Sequence, residues 1–169
     1  GGLTMKKMIF STVLVLGTTL VMAHPHFEKK VTALLPSGVE ISVAYETLPA
    51  NETHTDQAEI GSIIIPRRAA LLLAGDINAG SVALTAGDYT IGVVKNSANN
   101  WGMVLLSGRL SQGDTPDLSN PIKLDSHYST TKEGSAHLRI DIVPGHGDFE
   151  GKPVLSIAFG SMVLEAALS

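Results

Sequence analysis

The 169-residue chain contains no cysteine. This absence excludes disulfide bonds, zinc–thiolate sites and thiol nucleophiles. It also excludes a lipid anchor attached to a cysteine behind an export signal. Basic residues are the minority among the charges, with 12 Lys and Arg against 16 Asp and Glu. Because an acidic protein is poorly suited to holding phosphate backbones, we expect no nucleic-acid partner.

Long apolar runs are also scarce, and the one that exists lies near the start of the chain. Lys6 and Lys7 precede an apolar run at 8–21, and small or apolar residues follow at Val21 and Ala23. This pattern is typical of a secretory signal peptide that is cleaved after Ala23. The run is shorter than the roughly 20 apolar residues that a membrane-spanning helix needs.

We therefore expect residues 1–4 to be an upstream remnant and 5–23 to be a signal peptide, with its apolar run forming a signal helix. Residues 24–169 would form the mature protein, in the periplasm or secreted, with no stable membrane span after cleavage. An uncleaved anchor is the alternative. The remaining length suits a single domain.

Apolar residues in the mature part recur with a period of two. Ile41, Val43 and Tyr45 alternate with polar or small residues, and the same alternation recurs in 89–93 and 138–142. Turn-forming residues separate about ten such short runs, and no segment carries a convincing helical pattern. This combination predicts an all-β domain, a single antiparallel β-sandwich, with a β-barrel-like closure as the alternative.

Several short motifs in these strands resemble a known family. They are Pro25-His26 followed by a strand and a turn at Gly38, the run LTAGDYTI at 84–91, Trp101-Gly102, and Phe159-Gly160-Ser161. Together they resemble a bacterial exported family that is catalogued as domain of unknown function 2911. The resemblance covers most of 24–169 and implies a β-rich fold and export.

The chain departs from that family in one region. Typical members carry a segment rich in Gly, Arg and Trp after the strand that ends near Tyr45, and residues 47–80 contain no such segment. The resemblance therefore brings no reaction with it.

Three residues of the shared motifs have local physical interpretations. Gly87 suits a turn position with positive φ, and Tyr89 can bury its ring while its hydroxyl reaches a backbone group. Trp101 is the only tryptophan. We expect it to anchor the core rather than stack on a ligand.

The N-terminus of the mature chain is a candidate metal site. Cleavage after Ala23 would place an α-amino group and an imidazole together on His24, with His26 two residues along. Imidazole and amine nitrogens suit Cu(II), so copper is the one cofactor that the sequence suggests. The alternative is a frayed terminus whose histidines are solvated.

A second candidate is a polar patch that consists of His127, His137, Asp141, His146 and Asp148. Side chains two residues apart share one face of a strand, so such residues could hold a metal or act as acid and base. The same spacing also arises on a sheet face that merely contacts water.

The leading functional hypothesis is a non-enzymatic binding module that recognises an unknown small ligand or protein through loops at one end of the sandwich. The longest irregular segments, 47–60 and 107–121, are the expected recognition loops. The first alternative is a periplasmic copper-binding protein that uses His24 and His26. The second is a hydrolase that uses the polar patch.

Overall fold

A computed structural model describes residues 26–169. Within this range the protein consists of eleven β-strands, one short α-helix and one turn of 3₁₀ helix (Gly147–Phe149). The helix α1 spans Glu52–Gln57. The strands are β1 (Glu28–Leu34), β2 (Glu40–Glu46), β3 (Ile63–Ile64), β4 (Ala70–Leu73), β5 (Ile77–Ala79), β6 (Val82–Leu84), β7 (Gly87–Ser97), β8 (Asn100–Ser107), β9 (Ile122–Lys123), β10 (His127–Pro144) and β11 (Pro153–Ala167).

One layer of the fold is a seven-stranded antiparallel sheet. Its strand order is β1-β2-β4-β7-β8-β9, and β3 pairs with β7 beside this path. Ile41, Val43 and Tyr45 on β2 are buried on its inner face, as the alternation predicts. The path ends at β1 and β9, so the strands of 26–169 leave this sheet open rather than closed into a barrel.

The outer face of this sheet is buried as well, which the sequence did not indicate. Ala44, Ala70, Thr90 and Leu106 form one row across β2, β4, β7 and β8, and each is at most 5% exposed. The segment after β8 covers part of this row, since Arg109 and Leu110 line a small recess together with Ala44. The Thr90 hydroxyl donates to the carbonyl oxygen of Gly108 at 2.7 Å.

The second layer is the hairpin of β10 and β11, and it is sharply bent. A straight strand from residue 153 to 168 would be about 50 Å long, yet the N–H of Leu168 donates to the carbonyl oxygen of Pro153 at 2.8 Å. The register of the pairing shifts between Thr130↔Met162 and Ser135↔Gly160. From the first pair to the second there are five residue steps along β10 but only two along β11. Gly160 adopts a φ of +58°, which glycine tolerates best. The bend therefore lies at a glycine, the residue that adopts this backbone conformation at the lowest cost.

The two layers enclose one apolar core and make the protein an all-β sandwich, as the period-two pattern predicted. The buried cluster includes Ile91 and Leu105 from the large sheet and Leu138, Ile140 and Leu155 from the hairpin.

Helix α1 was not expected, because 47–60 carried no helical pattern. Asn51 begins it: its side-chain oxygen accepts a hydrogen bond from the N–H of Thr53 at 3.1 Å, and Glu52 supplies an acidic residue in the first turn. With six residues, the helix is too short to be stable in isolation. Tertiary contacts must hold it.

The signal peptide and His24 lie outside the described residues. No helix within 26–169 combines the length and the apolar character required to cross a membrane.

Candidate functional site

A cavity of about 290 Å³ lies between the two layers. Fifteen residues line it, and all but three of them are apolar or aromatic. The polar exceptions are His54, Thr55 and Arg67. The apolar lining consists of Leu48, Ile64, Ile65, Pro66, Val93, Trp101, Tyr128, Leu138, Ile157, Phe159, Met162 and Leu164.

The cavity depends on the bend of the hairpin. Ile157 and Leu164 belong to the same strand, β11, but lie on either side of Gly160. Val93 and Trp101 face them from β7 and β8 of the large sheet. Because the two halves of the hairpin diverge from the bend, the apolar space between the layers stays unfilled by their side chains. A continuous straight hairpin would not enclose it.

Helix α1 contributes His54 and Thr55 to the lining and is tied down at its start by Glu52. One carboxylate oxygen of Glu52 accepts hydrogen bonds from the hydroxyl of Ser161, at 2.6 Å, and from the N–H of the same residue. These two bonds, the hydroxyl first, hold the pKa of Glu52 below its ordinary value of 4.5. The carboxylate is thereby kept in its charged form beside the bend.

Lys95 holds the other end of α1. Its ammonium group donates to the carbonyl oxygens of Thr55, Asp56 and Ala58 at 2.9–3.0 Å. They lie at the C-terminal end of α1, where the last carbonyls of a helix lack their usual intrahelical donors. The Thr55 oxygen also accepts a hydrogen bond from the N–H of Ala58 at 3.3 Å. Lys95 is only 5% exposed, and no carboxylate in 26–169 forms an ion pair with it. A buried cation needs compensation, and here the helix carbonyls provide it.

Trp101 contacts Lys95 and also forms part of the cavity wall. The Lys95 ammonium lies 5.6 Å from the centre of the Trp101 ring, within the range of a cation–π interaction. The ring is 4% exposed, so the expectation of a core anchor is confirmed. Trp101 also lines the cavity, so the same ring is placed to report on whatever enters it.

Tyr128 shows that α1 brings negative charge close to the wall. Burial raises the pKa of its hydroxyl, and the nearby carboxylates of Glu52 and Asp56 raise it further. Tyr128 therefore remains a neutral phenol at the edge of the apolar space.

Arg67 stands at the rim of the cavity in an unusual backbone conformation. Arg67 and Arg68 have φ values of +41° and +54°, and no other non-glycine residue in 26–169 has a positive φ. Left-handed backbone costs roughly 1–2 kcal/mol for a residue with a Cβ. Arg68 forms an ion pair with Glu46.

The structure places His26 beside the end of β2, where its Nδ1 lies 3.0 Å from the carbonyl oxygen of Thr47. A proton on Nδ1 would be donated to this oxygen and would leave Nε2 as the nitrogen available to a metal. His24, its proposed partner, lies outside the described residues. The copper site stays a prediction.

The residues of the polar patch lie along β10 and in the turn that follows it. His127 lies at the start of β10, and its ring meets that of Phe149 edge-on at 6.4 Å, next to Asp148 in the turn after β10. His137 lies near the bend instead and bridges to Pro49. The Oδ1 of Asp141 accepts a hydrogen bond from the following N–H, that of Ile142.

Within 26–169 no three His, Asp or Glu side chains are grouped so that they could hold one metal ion. None of the five patch residues, His146 included, lines the apolar cavity. The hydrolase hypothesis requires a cleft that they share, and the geometry offers it no support.

The two predicted recognition loops are not equivalent. Segment 47–60 contains α1 and contributes to the cavity. Three successive antiparallel pairings separate β2 from β8, so these strands end on opposite sides of the sheet. Segment 107–121 therefore leaves β8 at the other end of the sheet, but Arg109 turns back into a recess that also holds Glu46 and Arg67. The expectation that both loops act at one end of the sandwich stays a prediction.

Sequence reasoning missed Glu52, Lys95 and Arg67. A signal for Lys95 was present, since it continues the inward series of Tyr89, Ile91 and Val93 and so places a charge where a core residue is expected. Glu52 and Arg67 carry no comparable signal, because their partners are distant in sequence.

No family model, curated protein or solved structure matches this chain in comparisons with known proteins. The resemblance to the exported family of unknown function stays a prediction.

Proposed function

We propose that this protein is a non-enzymatic binding module that takes up a small apolar ligand in the cavity between its two layers. The observation that carries the proposal is the lining itself, in which apolar side chains from both layers surround about 290 Å³. Small-molecule sites are concave and mostly apolar, with a few polar groups that fix orientation. His54, Thr55 and Arg67 are the polar groups of this lining.

The size of the cavity limits the ligand. An apolar cavity of about 150 Å³ holds a benzene molecule. A cavity of about 290 Å³ would therefore take a body about twice that size, such as a bicyclic ring or a medium-length alkyl chain. Protein partners and large ligands do not fit such a space.

The proposed setting is outside the cytoplasm. This part of the proposal rests on the leader at 5–23, with its basic start, apolar run and small residues before position 24. A binding module in the periplasm or the medium would meet its ligand directly.

The proposal is tested by titrating the protein with a series of neutral straight-chain alcohols, from hexanol to decanol, and following Trp101 fluorescence. The only tryptophan of the chain lines the cavity, so its signal reports on that site alone. Each added methylene contributes about 0.8 kcal/mol when buried. We expect affinity to rise about fourfold per methylene until the cavity is full.

A pair of variants locates the binding. Val93→Phe places a larger side chain in the cavity and narrows it, whereas Val163→Phe adds the same volume at a partly buried strand position that does not line it. The first variant should weaken binding, most for the longest alcohols, and the second should leave it unchanged. A signal that never saturates, or one that Val93→Phe leaves unchanged, would refute the proposal.

A further inference from the structure

Arg67 lies on the boundary between two different environments. It lines the apolar cavity, and it also lines a small charged recess on the neighbouring surface. The other charged residues of this recess are Arg68, Arg109, Glu28 and Glu46. The recess thus holds three cationic and two anionic side chains, an excess of one positive charge directly beside an apolar space.

The acidic side chains of the recess are already engaged. Arg68 donates to one carboxylate oxygen of Glu46, and Arg109 lies 3.8 Å from a carboxylate oxygen of Glu28. Arg67 is held less closely. Its Nη1 forms an ion pair with the second oxygen of Glu46 at 3.9 Å, beyond hydrogen-bonding distance.

Because this ion pair is too long for a hydrogen bond, the N–H donors of the Arg67 guanidinium remain available to a bound anion. The guanidinium has no hydrogen-bond acceptor among residues 26–169, and the Arg67 side chain is 50% exposed. A guanidinium presents several N–H donors in a planar fork that matches a carboxylate. An anion at the rim would meet these donors while the rest of its molecule lay inside.

The backbone of this segment supports a functional role. Arg67 and Arg68 are held in the left-handed region, and such strain in non-glycine residues concentrates at ligand-binding positions. A glycine at either position would be free of that cost, so the arginine side chain is present despite the strain.

From these observations we propose that the ligand is an amphipathic monoanion, such as a medium-chain carboxylate, whose apolar body fills the cavity and whose carboxylate binds Arg67. This inference rests on the proposed function, because it assigns a head group to the ligand of the same cavity. Arg67 is then the residue that determines specificity for a charged head group, while the apolar lining sets the length of the chain.

The test compares decanoate with 1-decanol, which have the same chain length, in titrations followed by Trp101 fluorescence. At low ionic strength we expect decanoate to bind about tenfold more tightly, as a charge-assisted hydrogen bond allows. Added salt should reduce this advantage, since the rim is exposed.

Arg68→Gln is the matched control for Arg67→Gln. Arg68 shares the left-handed backbone and is 41% exposed in its side chain, but it does not line the apolar cavity. The preference for decanoate should disappear in Arg67→Gln and persist in Arg68→Gln. Arg67→Gln should lose more affinity for decanoate than for decanol, and a circular dichroism spectrum like that of the wild type shows that the variant is folded.

The outcomes separate the two proposals. Equal binding of decanoate and decanol by the wild type, or an unchanged preference in Arg67→Gln, overturns the role of Arg67 but leaves the apolar site intact. Failure of both compounds to bind overturns the apolar site and this inference together.

Discussion

The carboxylate of Glu52 and the main chain of Ser161 are joined by a hydrogen bond that spans 109 positions of sequence. The bond fastens the start of α1 to the bend of β11, next to Gly160. A Cβ at Gly160 would lie 2.3 Å from the Glu52 carboxylate oxygen, so glycine is the residue that lets the carboxylate approach. Helix α1, which lines part of the cavity, and the bend of β11, beside which the cavity forms, are therefore joined by one contact.

The first prediction concerns this glycine. Gly160→Ala should lower the free energy of unfolding by about 3 kcal/mol or more, because it adds the cost of left-handed backbone to the loss of the Glu52 hydrogen bonds. Chemical denaturation measures the change. Gly151→Ala is the control, since Gly151 also has a positive φ, +76°, but a Cβ there meets nothing within 4 Å. That variant should lose only about 1–2 kcal/mol. Equal losses would mean that the Glu52 contact contributes nothing.

The second prediction concerns pH. Since the pKa of Glu52 is lowered in the folded protein, the unfolded chain binds more protons than the folded one between that lowered pKa and 4.5. The contribution of Glu52 is complete above 4.5 and is lost as the pH falls through the folded pKa. Glu52→Gln should thus destabilise the protein at neutral pH and less so in acid. Stability measured by denaturation at several pH values tests this.

The control for the pH series is Glu150→Gln. Glu150 is an exposed carboxylate at the turn before β11, and its side chain accepts no hydrogen bond from residues 26–169. Its removal should leave the pH dependence of stability as in the wild type. Parallel curves for the wild type and Glu52→Gln would contradict the role given to Glu52.

The third prediction concerns Lys95. Lys95→Met keeps most of the side-chain volume but removes a donor from three carbonyl oxygens at the end of α1. We expect a loss of about 1–3 kcal/mol in the free energy of unfolding. Amide hydrogen exchange in 52–58 should accelerate more than exchange in the core strands.

Lys123→Met serves as the comparison for that variant, because Lys123 is exposed on β9 and its side chain donates no hydrogen bond to any residue of 26–169. It should change neither stability nor the exchange of α1. If α1 in Lys95→Met exchanges at the wild-type rate, the helix is held by other contacts.

The fourth prediction is the copper site. Mass spectrometry of the exported protein should find His24 as the first residue. That protein should then bind Cu(II) more tightly than a variant with one residue added before His24, because the addition removes the α-amino group from the chelate. His26→Ala should also weaken binding, while His127→Ala, which changes a distant histidine, should not. Equal affinity in the lengthened and mature proteins would eliminate the terminal chelate.

The strands of the large sheet were predictable because each one is encoded locally. Tyr89, Ile91 and Val93 alternate with polar or small residues, and their side chains do face the core or the cavity wall. The Tyr89 hydroxyl donates to the carbonyl oxygen of Thr85 at 2.7 Å, and Gly87 has a φ of +143°, both as expected. These features depend on residues at most four positions apart.

The second layer was predicted less completely. The alternation predicted about ten short strands, whereas residues 153–159 and 161–167 form the two halves of one long strand, β11, on either side of Gly160. Alternation gives the face of each residue but not the angle between successive segments. Hence neither the bend nor the cavity beside it was visible in the sequence.

By itself, the sequence determined the class of the fold, since a period of two is the geometry of a pleated strand and requires only neighbouring residues. The tertiary structure alone decided where the cavity lies. Val93, Ile157 and Leu164 come from two different layers and line the cavity together. Helix α1 is held by Glu52 and Lys95, whose hydrogen-bond partners are distant in sequence. Such contacts are fixed by packing, and no local pattern of residues records them.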